Sequence, residues 1–228
     1  MRSSTRSILL LIITLFIATP LFGQRFTKKE QALREARAKN FFYGHSFTLS
    51  AGYVHSWLTT DKFDLTSTKF GRTGQFCNTR ESFDVFFSWD YCKSRVWGLQ
   101  LNGGYVQQGG QKLFYQDMGV GYGPQLRSDL TETVHLNDAE LQLMGRFFLP
   151  LTYKSRLSLN AGIYLDRLLG GYSDANDWDM GAVVSLGYDW NHFVASVSYK
   201  PGLFPDVIKT FDTRAASISV NFGFRLWK

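Results

Sequence analysis

From residue 45 onward, apolar and polar side chains alternate with a period of two, and they do so in eight separate stretches. Phe47, Leu49, Ala51, Tyr53 and Trp57 alternate with Ser46, Thr48, Ser50, Gly52 and Ser56. Phe83, Val85, Phe87, Trp89 and Tyr91 alternate with Asp84, Ser88 and Asp90, and only Phe86 breaks the polar set. Trp97, Leu99, Leu101 and Tyr105 oppose Gln100, Asn102 and Gln108, while Ala139, Leu141, Leu143 and Phe147 oppose Asp138, Glu140, Gln142 and Arg146. The fifth stretch sets Leu157, Leu159, Ala161, Ile163 and Leu165 against Ser158, Asn160, Gly162, Tyr164 and Asp166. The sixth runs from Asp179 to Trp190, the seventh from Phe193 to Lys200 and the eighth from Ala216 to Leu226. A side chain every second residue on one face is the signature of a strand, because successive Cβ atoms of an extended chain point to opposite sides. Eight strands are therefore predicted over 45–228.

A soluble barrel or sandwich also alternates, so the loops and the nature of each face decide between them. The predicted connections are 59–82, 92–95, 109–133, 149–155, 169–177, 191–192 and 201–213, which run long, short, long, short, long, short, long. Membrane barrels have this asymmetry, with short turns on the periplasmic side and long loops outside. The second face carries Asp84, Asp90, Asp138, Glu140, Arg146, Asp166, Asp189 and Arg225. A soluble core would have to bury them unpaired at high cost, whereas a narrow lumen can pair them while the apolar face meets lipid. Aromatic residues support this reading. Trp89, Tyr91, Trp97, Tyr188, Trp190 and Trp227 gather beside the short turns or the C-terminus, and Trp57 lies near a long loop. These are two sets at the two membrane interfaces. The predicted fold is all-β, an eight-stranded antiparallel up-and-down transmembrane β-barrel, with both termini in the periplasm.

The N-terminus reads differently. Arg2 and Arg6 precede the apolar run Ile8–Ile17, and Pro20 and Gly23 follow it, which is the layout of a cleaved export signal over 1–23. The apolar run is too short for a spanning helix. Residues 24–44 form a basic leader in which Thr27 and Glu30 fit a capping box and Glu30/Arg34 and Glu35/Lys39 are favourable i,i+4 pairs, so a short helix is expected. The formal charge of +6 belongs to this end of the chain: residues 40–228 hold equal numbers of basic and acidic residues. The charge therefore does not point to nucleic acid.

Several stretches resemble the PorT-type outer-membrane β-barrel proteins of Bacteroidetes-like bacteria. They are Gly98-Leu99-Gln100-Leu101-Asn102-Gly103-Gly104-Tyr105, Ala161-Gly162-Ile163-Tyr164-Leu165, Trp178-Asp179-Met180-Gly181 with Gly187-Tyr188, and Ser198-Tyr199-Lys200-Pro201-Gly202-Leu203. The resemblance covers roughly 45–228. It implies an eight-stranded barrel in the outer membrane, and some members of that family serve type IX protein secretion. It transfers no catalytic residue.

Candidate chemistry is confined to the lumen. Asp84, Asp138, Glu140, Asp166 and Asp189 against Arg146, Lys200 and Arg225 suggest an ion-pair network that plugs the barrel, in preference to a proton or ion path. An interior of eight strands is just wide enough to be filled by side chains. No metal-ligand spacing, phosphate loop or cofactor motif is present. A lipid-modifying enzyme would need His, Ser and a carboxylate together at one rim. His55 beside Ser56, and His135 near Ser128, Asp129 and Glu132, are the residues to watch for that. Cys77 is expected in the first long loop and Cys92 in the first short turn, a membrane thickness apart, so no disulfide joins them. The expected function is a non-enzymatic structural or interaction role in an envelope or secretion complex. A small channel and a lipid-modifying enzyme remain the alternatives. The expected partners are outer-membrane lipids and a protein met through the outer loops, the 109–133 loop among them, or through the 25–40 segment.

Overall fold

The computed structural model describes residues 42–60, 74–94, 96–117, 124–152, 154–171, 175–202, 207 and 213–227, together with Glu30, Ala32, Leu33 and Ala36 of the leader. Within those ranges the side chains at 60, 74–78, 112–117, 124–132 and 227 are not described. The expected export signal and most of the leader lie outside the described residues, and Glu30, Ala32, Leu33, Ala36 and Phe42 of the leader are helical.

Eight strands close into one antiparallel barrel: β1 (Gly44–Thr60), β2 (Gly74–Cys92), β3 (Trp97–Asp117), β4 (Pro124–Pro150), β5 (Ser155–Gly171), β6 (Trp178–Trp190), β7 (Phe193–Lys200) and β8 (Thr213–Trp227). Each strand pairs with its neighbour in sequence, and β1 pairs with β8 from Phe47↔Trp227 to Thr60↔Thr213, so the sheet has no terminal edge around its circumference. The foot of β1, the end of β8 and the connections after β2, β4 and β6 all lie at one end, called here the short-turn end.

The alternation is realised inside out. Ile163 is 63% exposed and Phe222 69%, and Leu141, Leu143, Phe147, Leu159, Leu186 and Val197 are exposed beside them, while Asp189 is completely buried. Soluble monomers do not expose so large a continuous apolar surface. An apolar band around a closed sheet with saturated backbone hydrogen bonds is the form in which strands cross a bilayer.

The strands are longer than the alternation predicts, and two expected loops are corrected. The stretch 109–133 is mostly a hairpin: β3 and β4 stay paired from Gly109↔His135 out to Asp117↔Pro124, with one register slip between Leu113 and Phe114. Likewise β2 begins at Gly74, well inside the expected 59–82 loop, and Trp57 pairs with Thr79. The reason is physical. Alternation records lipid on one side and lumen on the other; beyond the bilayer both faces accept polar residues, yet backbone pairing continues. β4 has 27 residues and β7 only 8, against the roughly 9–11 that a tilted strand needs to cross. The rim is therefore raised on the β2–β4 side.

Where β2 leaves β3 between Asn78 and Asp84, side chains replace the ladder. The Arg80 guanidinium donates to the Gln108 carbonyl at 3.0 Å, Ser82 donates to the Gln107 carbonyl, and Ser56 reaches across from β1 to donate to the Gly109 carbonyl at 3.1 Å. The freed carbonyls of β3 are thus satisfied rather than buried bare.

The exception in β2 also has a cause. Phe86 points into the lumen directly opposite Gly104, and a Cβ there would sit 2.2 Å from the Val85 carbonyl and 2.5 Å from the Phe86 ring. Tyr164 faces Gly181 in the same way, with ring atoms 2.7 Å from where a Cβ would stand. Each large inward ring uses the space that a glycine leaves on the next strand. Gly103, one residue away and on the lipid face, has nothing nearer than a Leu141 methyl at 4.0 Å. Gly104→Ala is therefore expected to destabilise the barrel by about 1–3 kcal/mol through overpacking, while Gly103→Ala changes little. Urea unfolding in lipid vesicles measures both, and equal effects would overturn the pairing of ring and glycine.

Candidate functional site

All eight side chains expected to form the lumen network are buried and inward. They do not form a single network. The structure divides them into two partitions at different heights.

The lower partition lies near the short-turn end, where β2, β4, β5, β6 and β8 each contribute a residue close to their termini. Asp189 is its centre. It accepts from Arg146 Nη2 at 3.2 Å, Arg156 Nε at 2.8 Å and Arg225 Nη2 at 3.1 Å. Arg146 also donates to Asp90 at 2.6 Å, to Asn160 at 3.2 Å and to Ser158 at 3.2 Å, so its planar fork is used on several sides. Three guanidiniums face two carboxylates here, a formal surplus of one positive charge. Rings cover them. Phe148 stacks on Arg156 at 3.7 Å and on Arg146 at 5.0 Å, and Phe42 stacks on Arg156 at 4.3 Å and on Arg225 at 5.8 Å.

The upper partition is built around Lys200, the last residue of β7. Its Nζ donates to Glu140 Oε2 at 2.6 Å and lies 4.0 Å from Asp166. Gln142 Nε2 donates to Glu140 at 2.5 Å, Asn102 donates to Gln142 at 2.7 Å, and Gln108 Nε2 donates to Asp138 at 3.0 Å and Asp166 at 3.3 Å. With the Asn221 amide nitrogen turned toward Asp84, it donates to both carboxylate oxygens at 2.6 and 3.3 Å. Among the described residues Asp84 and Asp138 make no ion pair; amides hold them instead. Lys200 meets Glu140 and Asp166, and with Asp84 and Asp138 nearby the carboxylates among the described residues outnumber it, so this chamber has a formal negative surplus.

Between the partitions is a cavity of about 40 Å³ lined by small polar side chains such as Ser50, Ser88, Ser185, Ser196, Ser198 and Ser219. That is room for about three water molecules. Above the upper partition lies an apolar cap of Leu58, Val134, Leu136, Ala175, Val207 and Ala215, with Leu168 against it. Two connections deliver Ala175 and Val207. The Asn176 amide donates to the Val207 carbonyl at 2.9 Å, and the Val207 amide donates to Thr213 at 3.1 Å.

Sequence reasoning missed Arg156, Phe42 and the cap. Arg156 shares its face with Ser158 and Asn160, so parity carried the signal, and the expected turn boundary hid it. Ala175 and Val207 lie in connections, where no periodicity marks them.

The expected interfacial aromatics whose side chains are described fall on the outer face. Trp89 and Tyr91 stack with His45 at 5.6 and 4.8 Å, Trp190 packs on Phe193 at 6.1 Å, and Trp97 and Tyr188 are exposed. Trp57 lies beside His55 toward the far end. Trp227 ends β8, with its side chain outside the described residues. His55 is directly across β1–β2 from Glu81. The serines beside them, Ser56 and Ser82, bond to backbone carbonyls of β3 and are not on the His55 face. The hydroxyl and carboxylates near His135 lie outside the described side chains. Cys77 falls within β2, not in a loop, about 50 Å along the strand from Cys92 at about 3.3 Å per residue. Cys92 is a free, buried thiol.

Replacing Asp189 with alanine leaves three buried guanidiniums short of their shared acceptor, an expected loss of about 3–5 kcal/mol. Asp84→Asn removes a carboxylate that an amide already holds and relieves the negative surplus, so it is expected to be neutral or stabilising by up to about 1 kcal/mol. Urea midpoints of the two variants in vesicles check the contrast.

The chain matches no protein-family model and no protein of curated function. Among solved structures it is similar to Ail, the attachment invasion locus protein of Yersinia pestis, at 14% identity over 81% of this chain and 100% of that one, with a TM-score of 0.38. It is also similar to the outer membrane protein OprG of Pseudomonas aeruginosa, at 13% identity over 82% of this chain and 97% of that one, TM-score 0.44. Neisserial surface protein A aligns at 14% identity over 80% of this chain and 99% of that one, TM-score 0.47. At such identities these likenesses extend to barrel architecture and no further.

Proposed function

We propose that this chain is a bacterial outer-membrane β-barrel with a non-enzymatic structural or interaction role, its short-turn end in the periplasm and its raised β2–β4 rim outside. The observation that carries this reading is a lumen filled along its length. An arginine–aspartate partition, a lysine–carboxylate partition and an apolar cap lie in series, with space for only a few waters between them. A lumen so occupied is suited to stiffening a scaffold rather than to passing solutes. The surfaces left to do work are the lipid-facing band, the raised rim and the basic leader. The resemblance to PorT-type proteins narrows the proposal to an accessory of a type IX-like secretion or envelope complex, with a protein partner bound through the β2–β4 rim or the 25–40 segment.

Heat-modifiable migration on gels, together with recovery in the outer-membrane fraction, is the expected behaviour; a monodisperse product soluble without detergent overturns the assignment. In planar bilayers the purified barrel is expected to give no stepwise conductance, and discrete channel openings would favour a transport role instead. A photo-crosslinker placed between residues 107 and 117 is expected to capture a defined protein in native membranes.

A further inference from the structure

We propose that Phe42 is a stopper in the short-turn mouth of the lumen, hinged at Gly44, whose displacement admits water to the arginine partition and to Cys92. β1 does not simply run out at its foot. Gly44 has φ of +94°, a left-handed conformation that side chains with a Cβ rarely adopt, and space is open around it, with nothing within 4 Å of where a Cβ would stand. The backbone, not crowding, is therefore what calls for glycine at this position. The turn ends the extended run, and two residues earlier the Phe42 ring lies against the lower partition. It stacks on the Arg156 guanidinium at 4.3 Å, as Phe148 does at 3.7 Å, and it also covers Arg225 at 5.8 Å.

Charge does not draw the leader to this place. Residues 24–39 hold six basic and two acidic side chains, and the partition above has a positive surplus of its own. The attraction is between a ring face and a cation, worth more when water is excluded. It is also local, so the stopper opens without unfolding the strands. Cys92 is a built-in reporter of that opening. It pairs with Gly44 across β1–β2, Arg156 Nη1 donates to its Sγ at 3.4 Å, and it is buried.

The test is the rate at which a water-soluble maleimide alkylates Cys92 in the full chain, folded in micelles, in a Cys77→Ser background. Folding is checked by heat-modifiable migration. The parent is expected to react far more slowly than the same chain in urea. Phe42→Ala is expected to react about tenfold faster than the parent. Phe42→Trp, which keeps a ring face, is expected to stay near the parent rate. Gly44→Val, which strains the hinge and leaves Phe42 intact, is expected to accelerate the reaction similarly. A folded Phe42→Ala barrel whose Cys92 reacts at the parent rate overturns the proposal. If that variant does not fold, the folded Gly44→Val barrel decides by the same criterion. A parent as reactive as the urea-unfolded chain overturns it outright. None of these outcomes bears on whether the barrel binds a partner.

Discussion

Lipid offers no hydrogen bond, so a strand that crosses it must have every backbone N–H and C=O satisfied by neighbouring strands. The rest of this molecule follows from that. Closing β1 onto β8 removes the edge, and closure then fixes which residues share an interior. Small and charged side chains fill an interior too narrow for solvent to insulate them. Each ionised group there must find a partner within a few ångströms or remain a buried, uncompensated charge. The same rule applies where β2 leaves β3 between Asn78 and Asp84, and there Ser56, Arg80 and Ser82 supply the missing donors.

Within that interior the charges are sorted by height. Asp189 gathers three guanidiniums near the short turns, and Lys200 sits among carboxylates toward the far rim. The two groups differ in how firmly they are held. Arginine forks bond to several acceptors at once, and two rings lie across them. The lysine is a single point of charge among acids that depend on amides. Stability in the lower barrel therefore rests on one aspartate, while the upper barrel has charge to spare.

Much of this was legible from sequence, because the alternation that lipid imposes also names the lumen face. The inward position of Asp84, Asp138, Glu140, Arg146, Asp166, Asp189, Lys200 and Arg225 is a matter of parity, and parity survives uncertainty about strand ends. What parity cannot give is height. Whether Glu140 meets Lys200 or Arg146 depends on stagger across non-adjacent strands, which no single strand encodes. The long β3–β4 hairpin was invisible for a related reason: beyond the bilayer, nothing forces one face to be apolar. Phe86 is a break in the polar set and Tyr164 a member of it, and only the register shows Gly104 and Gly181 opposite them.

The sorting of charge by height also makes the lumen a pair of opposed filters in series. An anion arriving from the far rim meets a chamber rich in carboxylates, and a cation arriving from the short-turn end meets a cluster rich in arginine. Each partition repels the sign that the other would admit. A barrel plugged by a single neutral belt would leak whatever was small enough to pass. Here an ion of either sign meets one partition whose charge opposes its passage, and only the two together oppose both signs.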